Sequence, residues 1–233
     1  MRIITLLFLC LASSSCRKGF EELNQNPNVT TTVDPNALFA YAQFRYHTDY
    51  LNGVRTEIWG LNNWMQVQAS INGTSSAGNE YFMSGDAINN TWSLMYADVL
   101  GNIEEAMRLT KDDPINVNKY NTYRIYRAYI YHRLTDLWDN IPYTAAHNTI
   151  NAENTPDLSP EYDPQSIVYQ DLINELRSAV SGFDQSRPDV GAQDWIYHGD
   201  VDKWIRFANS LTLRLALRIS DKVPTIALPV IQQ

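Results

Sequence analysis

Apolar residues recur at three- and four-residue intervals along most of this chain, and no useful stretch alternates strictly between apolar and polar positions. The pattern predicts an all-α protein built from helical hairpins with long intervening loops. A first helix starts at Asp34-Pro35, where Asp is a strong N-cap and Pro suits the first helical position. It carries Leu38, Tyr41, Ala42 and Phe44 and fades by Asn52-Gly53. A second runs from Val54 to Ile71, with Ile58, Leu61 and Met65 on one face. A third spans Thr91 to Lys111, with Trp92, Met95, Tyr96, Val99, Ile103 and Ala106 at helical spacing, and ends at Asp112-Asp113-Pro114. The fourth, Val117 to Trp138, places Tyr120, Tyr123, Arg127, Ile130, Leu134 and Leu137 on one stripe. Asn140, read as left-handed, and Pro142 stop it. A fifth begins at another cap-plus-proline pair, Asp163-Pro164, and buries Val168, Leu172, Leu176 and Ala179. The sixth, Val201 to Lys222, is capped by Asp200 and carries Trp204, Ala208, Leu211, Leu215 and Ile219. The third and fourth, and the fifth and sixth, pair like tetratricopeptide hairpins, although no strict repeat period is kept.

The segments between helices differ in character. Residues 72–90 form the longest predicted loop. Its Asn72-Gly73-Thr74-Ser75-Ser76-Ala77-Gly78-Asn79 run is turn chemistry, interrupted by Tyr81 and Phe82. Ile141 to Tyr162 is a second extended connection, rich in Pro, Asn and Thr. Residues 223–233 read as an irregular tail.

The amino terminus carries a different pattern. Arg2 is followed by an apolar run from Ile3 to Leu11, then by Ala12-Ser13-Ser14-Ser15-Cys16. This is the layout of a secretory signal ending in a lipid-modified cysteine: residues 1–15 as signal peptide, Cys16 as lipidation site, and 16–33 as a tether poor in core-forming residues. The run is too short for a transmembrane helix, which takes about 20 apolar residues.

Charge and composition narrow the chemistry. The net charge is −8, or −9 without Arg2, and no basic block interrupts it; this argues against nucleic acid and against charge-driven membrane binding. The cysteines are Cys10 and Cys16, so cleavage of the signal leaves one and no internal disulfide. His47, His132, His147 and His198 show no metal-ligand spacing, and no Gly-rich phosphate loop or nucleophile elbow is present, so no metal, cofactor or catalytic residue is assigned. Glu104-Glu105 and Asp112-Asp113 are adjacent and point apart on a helix; they read as solvated charge. Fourteen Tyr and six Trp against ten Gly are more telling, because aromatic faces suit both half-wet helix packing and sugar stacking. Trp59, Trp64, Tyr81, Phe82 and Trp92 lie in or beside the long loop, with Asn62, Asn63, Gln66 and Gln68 close in sequence. The ligand-contacting candidates are Tyr81, Phe82, Trp64, Asn63 and Gln66; core packing competes for each aromatic, and for Trp59 and Trp92 it is favoured.

Four stretches, in order, resemble the SusD/RagB family of nutrient-binding outer-membrane lipoproteins of Bacteroidota. The first is Cys16 with the Phe20-Glu21-Glu22-Leu23-Asn24 to Pro27-Asn28 tether. The second is Arg127-Ala128-Tyr129-Ile130-Tyr131-His132-Arg133-Leu134 leading to Leu137-Trp138-Asp139-Asn140-Ile141-Pro142-Tyr143. The third is Tyr162-Asp163-Pro164-Gln165 to Leu176. The last is Tyr197-His198-Gly199-Asp200-Val201-Asp202-Lys203-Trp204 through Phe207-Ala208-Asn209-Ser210-Leu211 to Arg214-Leu215-Ala216-Leu217-Arg218-Ile219. The resemblance implies a non-catalytic lipoprotein, anchored to the outer membrane and exposed at the surface, that binds oligosaccharides or other oligomeric nutrients and acts as a lid on a SusC-like TonB-dependent transporter. It also implies a helical domain over residues 34–222. Family members usually have Gly at the position of Asp139, which predicts a turn shifted by one residue. They also commonly run considerably longer, so a truncated, frameshifted or N-terminal product is expected, with a tail unlike the family. A helical protein–protein adaptor, or a non-functional fragment, stays open beside this reading, and behind both an all-helical glycan-active enzyme.

Overall fold

The computed structural model describes residues 33–48, 61–67, 85–147 and 159–232. Asp34–Gln233 form one compact unit and Met1–Val33 another; of the latter only Val33 is described. The helices are α1 (Pro35–Thr48), α2 (Gly85–Ser93), a π-helical segment (Leu94–Leu100), α3 (Gly101–Thr110), α4 (Val117–Trp138), α5 (Gln165–Ser181), α6 (Val201–Ile219) and α7 (Pro224–Ile231), with single turns at Asn62–Trp64, Pro114–Asn116 and Gly191–Gln193. No strand occurs among the described residues; Ile141 and Asp163 make one isolated antiparallel bridge. The architecture is all-α, as the periodicity predicts.

Helix α4 is the centre. It packs against α3, α5 and α6 and is buried on nearly every side, including Asn118, Asn121, Thr122, His132 and Thr135. The single predicted stripe is therefore too narrow: Tyr126, Ala128 and Tyr131 are as buried as Tyr123 and Ile130. A helix flanked on several sides must bury polar positions as well, and some of these pair across elements: Asn118 bonds to Asp184 and Arg187 in the loop after α5. Around α4 lies an aromatic core in which Phe39 touches Tyr123, Tyr126 and Trp204.

Helix starts follow cap chemistry in two of three predicted cases. Asp34 accepts from Asn36 N at 2.9 Å and Asp200 from Lys203 N at 3.0 Å. Asp163 does not cap α5. Its carboxylate turns to Tyr143 N and Thr144 N, at 3.1 and 2.7 Å, and Pro164 stands at the cap position. The Ile141–Asp163 bridge pulls Asp163 toward the segment after α4, where two loop N–H groups need an acceptor.

Four further expectations are corrected. The third predicted helix begins at Gly85, so residues 85–90 belong to a helix and not to the long loop. Extending an anchored helix adds one bond per residue without a new nucleus, which outweighs the poor propensity of Asn89 and Asn90. The tail is helical over Pro224–Ile231. Pro224 sits in its first turn, where a missing N–H costs nothing, and the helix packs on α6 with Ala227 buried and Ile226 and Val230 against the core, which offsets the bond lost at Pro229. The left-handed residue after α4 is Asp139, at φ 64°, rather than Asn140. The predicted second helix is seen only as the turn at Asn62–Trp64: the chain leaves helix over residues 65–67, where Gln66 takes φ 59°, an angle no helix continues through. The rest of that predicted helix, the loop around Tyr81 and Phe82, and the signal and tether with Cys16 lie outside the described residues.

Before α6 the chain is held by one buried carboxylate. Asp194, fully buried, accepts from Gln43 Nε2 (2.8 Å), Ile196 N (3.0 Å), Tyr197 N (3.3 Å), Gly199 N (3.0 Å) and Trp204 Nε1 (2.7 Å). Gly199 takes φ 79°, and a Cβ there would meet Gly191 N at 2.5 Å, so both angle and space call for glycine.

Two stability changes follow. Asp194→Ala orphans five donors and is expected to lower the unfolding free energy by about 3 kcal/mol or more in urea titrations. Asp139→Gly relieves an angle glycine adopts freely and is expected to raise it by about 1 kcal/mol; an unchanged or lower midpoint refutes this account of the turn.

Candidate functional site

Aromatic side chains at the ends of several elements converge on one ladder. Trp92 comes from the last turn of α2, Tyr96 from the π-helical segment, Trp138 is the last residue of α4, and Tyr162 precedes α5. Trp92 and Tyr162 are stacked at 15°, with centroids 6.1 Å apart. Trp138 meets Trp92 edge-on at 5.2 Å, and Tyr96 lies 4.6 Å from Trp92. Behind them Tyr96 contacts the buried Tyr131, which contacts Tyr143 at 4.7 Å. The outer end is open: Tyr162 is 60% exposed, and Trp92 and Trp138 are half-buried.

The π-helical geometry places Tyr96. Leu94 and Val99, and Met95 and Leu100, are all buried, each pair five residues apart, and Gly101 N bonds back to Tyr96 O. The wider turn lets both pairs face the core, and such segments are frequent at functional sites. The Tyr96 hydroxyl donates to Pro142 O at 2.7 Å. Burial, reinforced by Tyr131, Tyr162 and Asp163 nearby, pushes its pKa far up, so it stays a protonated donor.

The ladder leads into a polar pocket. His147 lies 6.1 Å from Tyr96 and lines a cavity of about 710 Å³ with Glu104, Glu105, Arg108, Lys111 and Arg127. Two of its lining residues, Glu104 and Arg127, belong to an ion network. Arg127 reaches Glu104 and Glu175, both at 3.1 Å, and Arg124 grips Glu175 with two bonds of 2.9 Å. Arg124 also lies 5.6 Å over the Tyr120 ring. Burial acts to raise the Glu175 pKa, but the two guanidiniums outweigh it and hold the carboxyl below the usual glutamate range. Glu175 is thus a fixed anion joining α4 and α5, ill suited to donate a proton. Among the described residues no group of three or more His, Cys, Asp or Glu side chains converges to hold a metal.

The sequence-predicted contacts fall elsewhere. Asn63, Trp64 and Gln66 share the turn at Asn62–Trp64, with Asn63 buried, Trp64 half-buried and Gln66 exposed at φ 59°. Tyr81, Phe82, Trp59 and Cys16 lie outside the described residues. Trp92 is neither pure core nor pure surface. Sequence reasoning passed over Trp138, Tyr162, Tyr96 and His147. Their only signal is that Trp138 and Tyr162 stand at element ends, where the core period stops and an aromatic has no packing duty.

The family model described as starch-binding associating with outer membrane matches residues 27–233. Its match includes the tail, which therefore resembles the family after all. A Bacteroidetes AC2a SusD-like structure is similar at 29% identity and TM-score 0.73, over 86% of this chain and 37% of its own. A chitin-binding protein is similar at 25% identity and TM-score 0.76, over 84% of this chain and 41% of its own. A SusD homologue from Parabacteroides distasonis shows 25% identity and TM-score 0.70, over 85% and 39%. The chain thus spans roughly two fifths of the length of these solved structures. No curated protein matches.

The ion network predicts a pH signature. Because the folded pKa of Glu175 is depressed, its stabilisation is present above the unfolded value and is lost as pH falls through the folded one. Glu175→Gln is expected to cost about 2 kcal/mol at pH 7, and the gap to wild type should shrink below about pH 4. Urea titrations at pH 7 and pH 3 measure it; a gap independent of pH contradicts the assignment.

Proposed function

This chain belongs to the SusD-like family of starch-binding proteins associated with the outer membrane, and from that premise we propose that it is a non-catalytic lipoprotein that binds oligosaccharides and delivers them to a SusC-like TonB-dependent transporter. Residues 1–15 serve as the signal peptide, Cys16 takes the acyl chains, and 16–33 tether the helical body at the cell surface. No described helix is long and apolar enough to cross a membrane. Anchoring then rests on the acyl chains, each buried methylene contributing about 0.8 kcal/mol.

The observation that carries the binding reading is the stacked Trp92–Tyr162 pair, open to solvent on the Tyr162 side. The C–H face of a pyranose packs on such a ring, and the amphipathic tyrosine tolerates the wet edge. The neighbouring pocket supplies partners for hydroxyls at Glu104, Lys111 and His147, and its size lies in the range of small-molecule sites. The similar chitin-binding protein supports a glycan as the ligand. Delivery works as a lid: bound sugar adds affinity for a closed position on the transporter and shifts the population toward it.

Calorimetric titration of the full chain with maltoheptaose and with chitohexaose tests this. Binding of at least one is expected without release of shorter products, and Tyr162→Ala should weaken it about tenfold while leaving the melting midpoint unchanged. Shorter products, or full affinity in the variant, overturns the reading. Intact-mass measurement of the membrane fraction should find acylated Cys16; an unmodified secreted chain contradicts the anchor.

A further inference from the structure

A second aromatic surface, sharing no residue with the ladder, lies where α1 meets the loop before α6. Tyr41 and Phe44 are three residues apart on one face of α1 and are 45% and 40% exposed. Trp195, 55% exposed, meets Phe44 edge-on at 5.6 Å and 79°. We propose that Tyr41, Phe44 and Trp195 form a second stacking surface for pyranose rings, an inference that rests on the oligosaccharide reading above.

The placement of Trp195 is what argues for use. An indole left to itself is drawn into the core, as Trp204 is, fully buried nine residues later. Trp195 is held out by its neighbours. Its own N–H donates to Gln43 Oε1 at 2.8 Å, and the preceding Asp194 is locked inside by five donors. A rigid exposed ring loses little entropy when it binds. Tyr162 has the same arrangement, an exposed aromatic beside Asp163, whose carboxylate binds loop N–H groups.

Size and charge select the occupant. Three side chains cover far less than the roughly 800 Å² per partner of a stable protein interface, but match one or two sugar rings. Lipid binding by an aromatic face calls for flanking Lys and Arg. Here the neighbouring Arg45 is already paired with Asp98, and the chain carries −8 overall. Amide and carboxylate partners for hydroxyls stand in the same loop and helix, where Gln193, two residues before Trp195, donates to Asp34 Oδ2 at 3.1 Å.

The test is calorimetric titration of wild type, Trp195→Ala and Tyr162→Ala with maltoheptaose and chitohexaose, with melting curves to confirm folding. The Gln43 bond uses the backbone, so Trp195→Ala keeps it. Two binding events are expected in wild type; Trp195→Ala should weaken one by about tenfold and Tyr162→Ala the other. If Tyr162→Ala weakens binding and Trp195→Ala changes nothing, the second surface is refuted and the ladder stands. The converse result supports the second surface and refutes the ladder. No binding by wild type overturns both. Sedimentation showing a dimer that Trp195→Ala dissociates, with sugar binding unchanged, assigns the patch to a second copy of the chain and refutes the proposal. Should Trp195→Ala unfold, Trp195→Tyr retains a ring and is expected to keep both events; loss of one there would refute stacking.

Discussion

A carboxylate sealed inside protein is tolerated only where oriented dipoles replace the water it gave up. At Asp194 the replacements are five N–H groups, from α1, from its own loop and from the indole of α6. Gln43 closes the circuit by donating to Asp194 and accepting from Trp195 N, which ties residues about 150 positions apart in sequence. Trp204, positioned by this knot, touches Phe39, Tyr126, Tyr197 and Phe207. The aromatic core is thus registered by a polar contact. Apolar burial alone is non-directional and would permit α1 to slide or rotate on α4.

The same logic runs through the tyrosines. A helix as enclosed as α4 gains from large side chains, and several buried hydroxyls find an acceptor on another element, that of Tyr126 excepted. Tyr123 finds Asn36 on α1, Tyr143 finds Asp171 on α5, and Tyr169 on α5 finds Asp136 on α4. These bonds join elements in pairs and set how the hairpins meet. Asp136 also lies 3.0 Å from His132 and 3.1 Å from Arg218. Burial acts to raise its pKa, but these partners and Tyr169 outweigh it, so the carboxylate remains ionised where α4, α5 and α6 converge.

Much of this fold is legible from the chain where the deciding physics is local. Val117–Trp138 is found with its bounds because Pro114 and Pro142 bracket a long apolar period. Asp34 and Asp200 cap as expected because their acceptors meet N–H groups two or three residues on. Asp163 has the same local signature and fails, since its nearest needy donors lie twenty residues away across the bridge to Ile141. The π-helical segment is hidden because apolar pairs five apart look like ordinary drift in a helical pattern. The ladder is hidden for a related reason. Trp138 and Tyr162 are adjacent only because the bridge folds two element ends together, and no spacing in the sequence encodes that meeting.

Both exposed aromatic surfaces stand beside an aspartate that binds backbone. In irregular chain, successive side chains tend to diverge, so fixing one inward by hydrogen bonds directs its neighbour outward. Asp163 draws Tyr143 N and Thr144 N and leaves Tyr162 over Trp92; Asp194 draws its own loop inward and leaves Trp195 over Phe44. A flexible loop could present the same rings, but each would be free to collapse onto apolar surface, and any binding would have to pull it away first. Carboxylate-fixed turns remove that competition. The hydrogen-bonded interior is therefore what keeps the aromatic faces available, and at Asp194 the carboxylate that registers the core is the same one that sets where Trp195 stands.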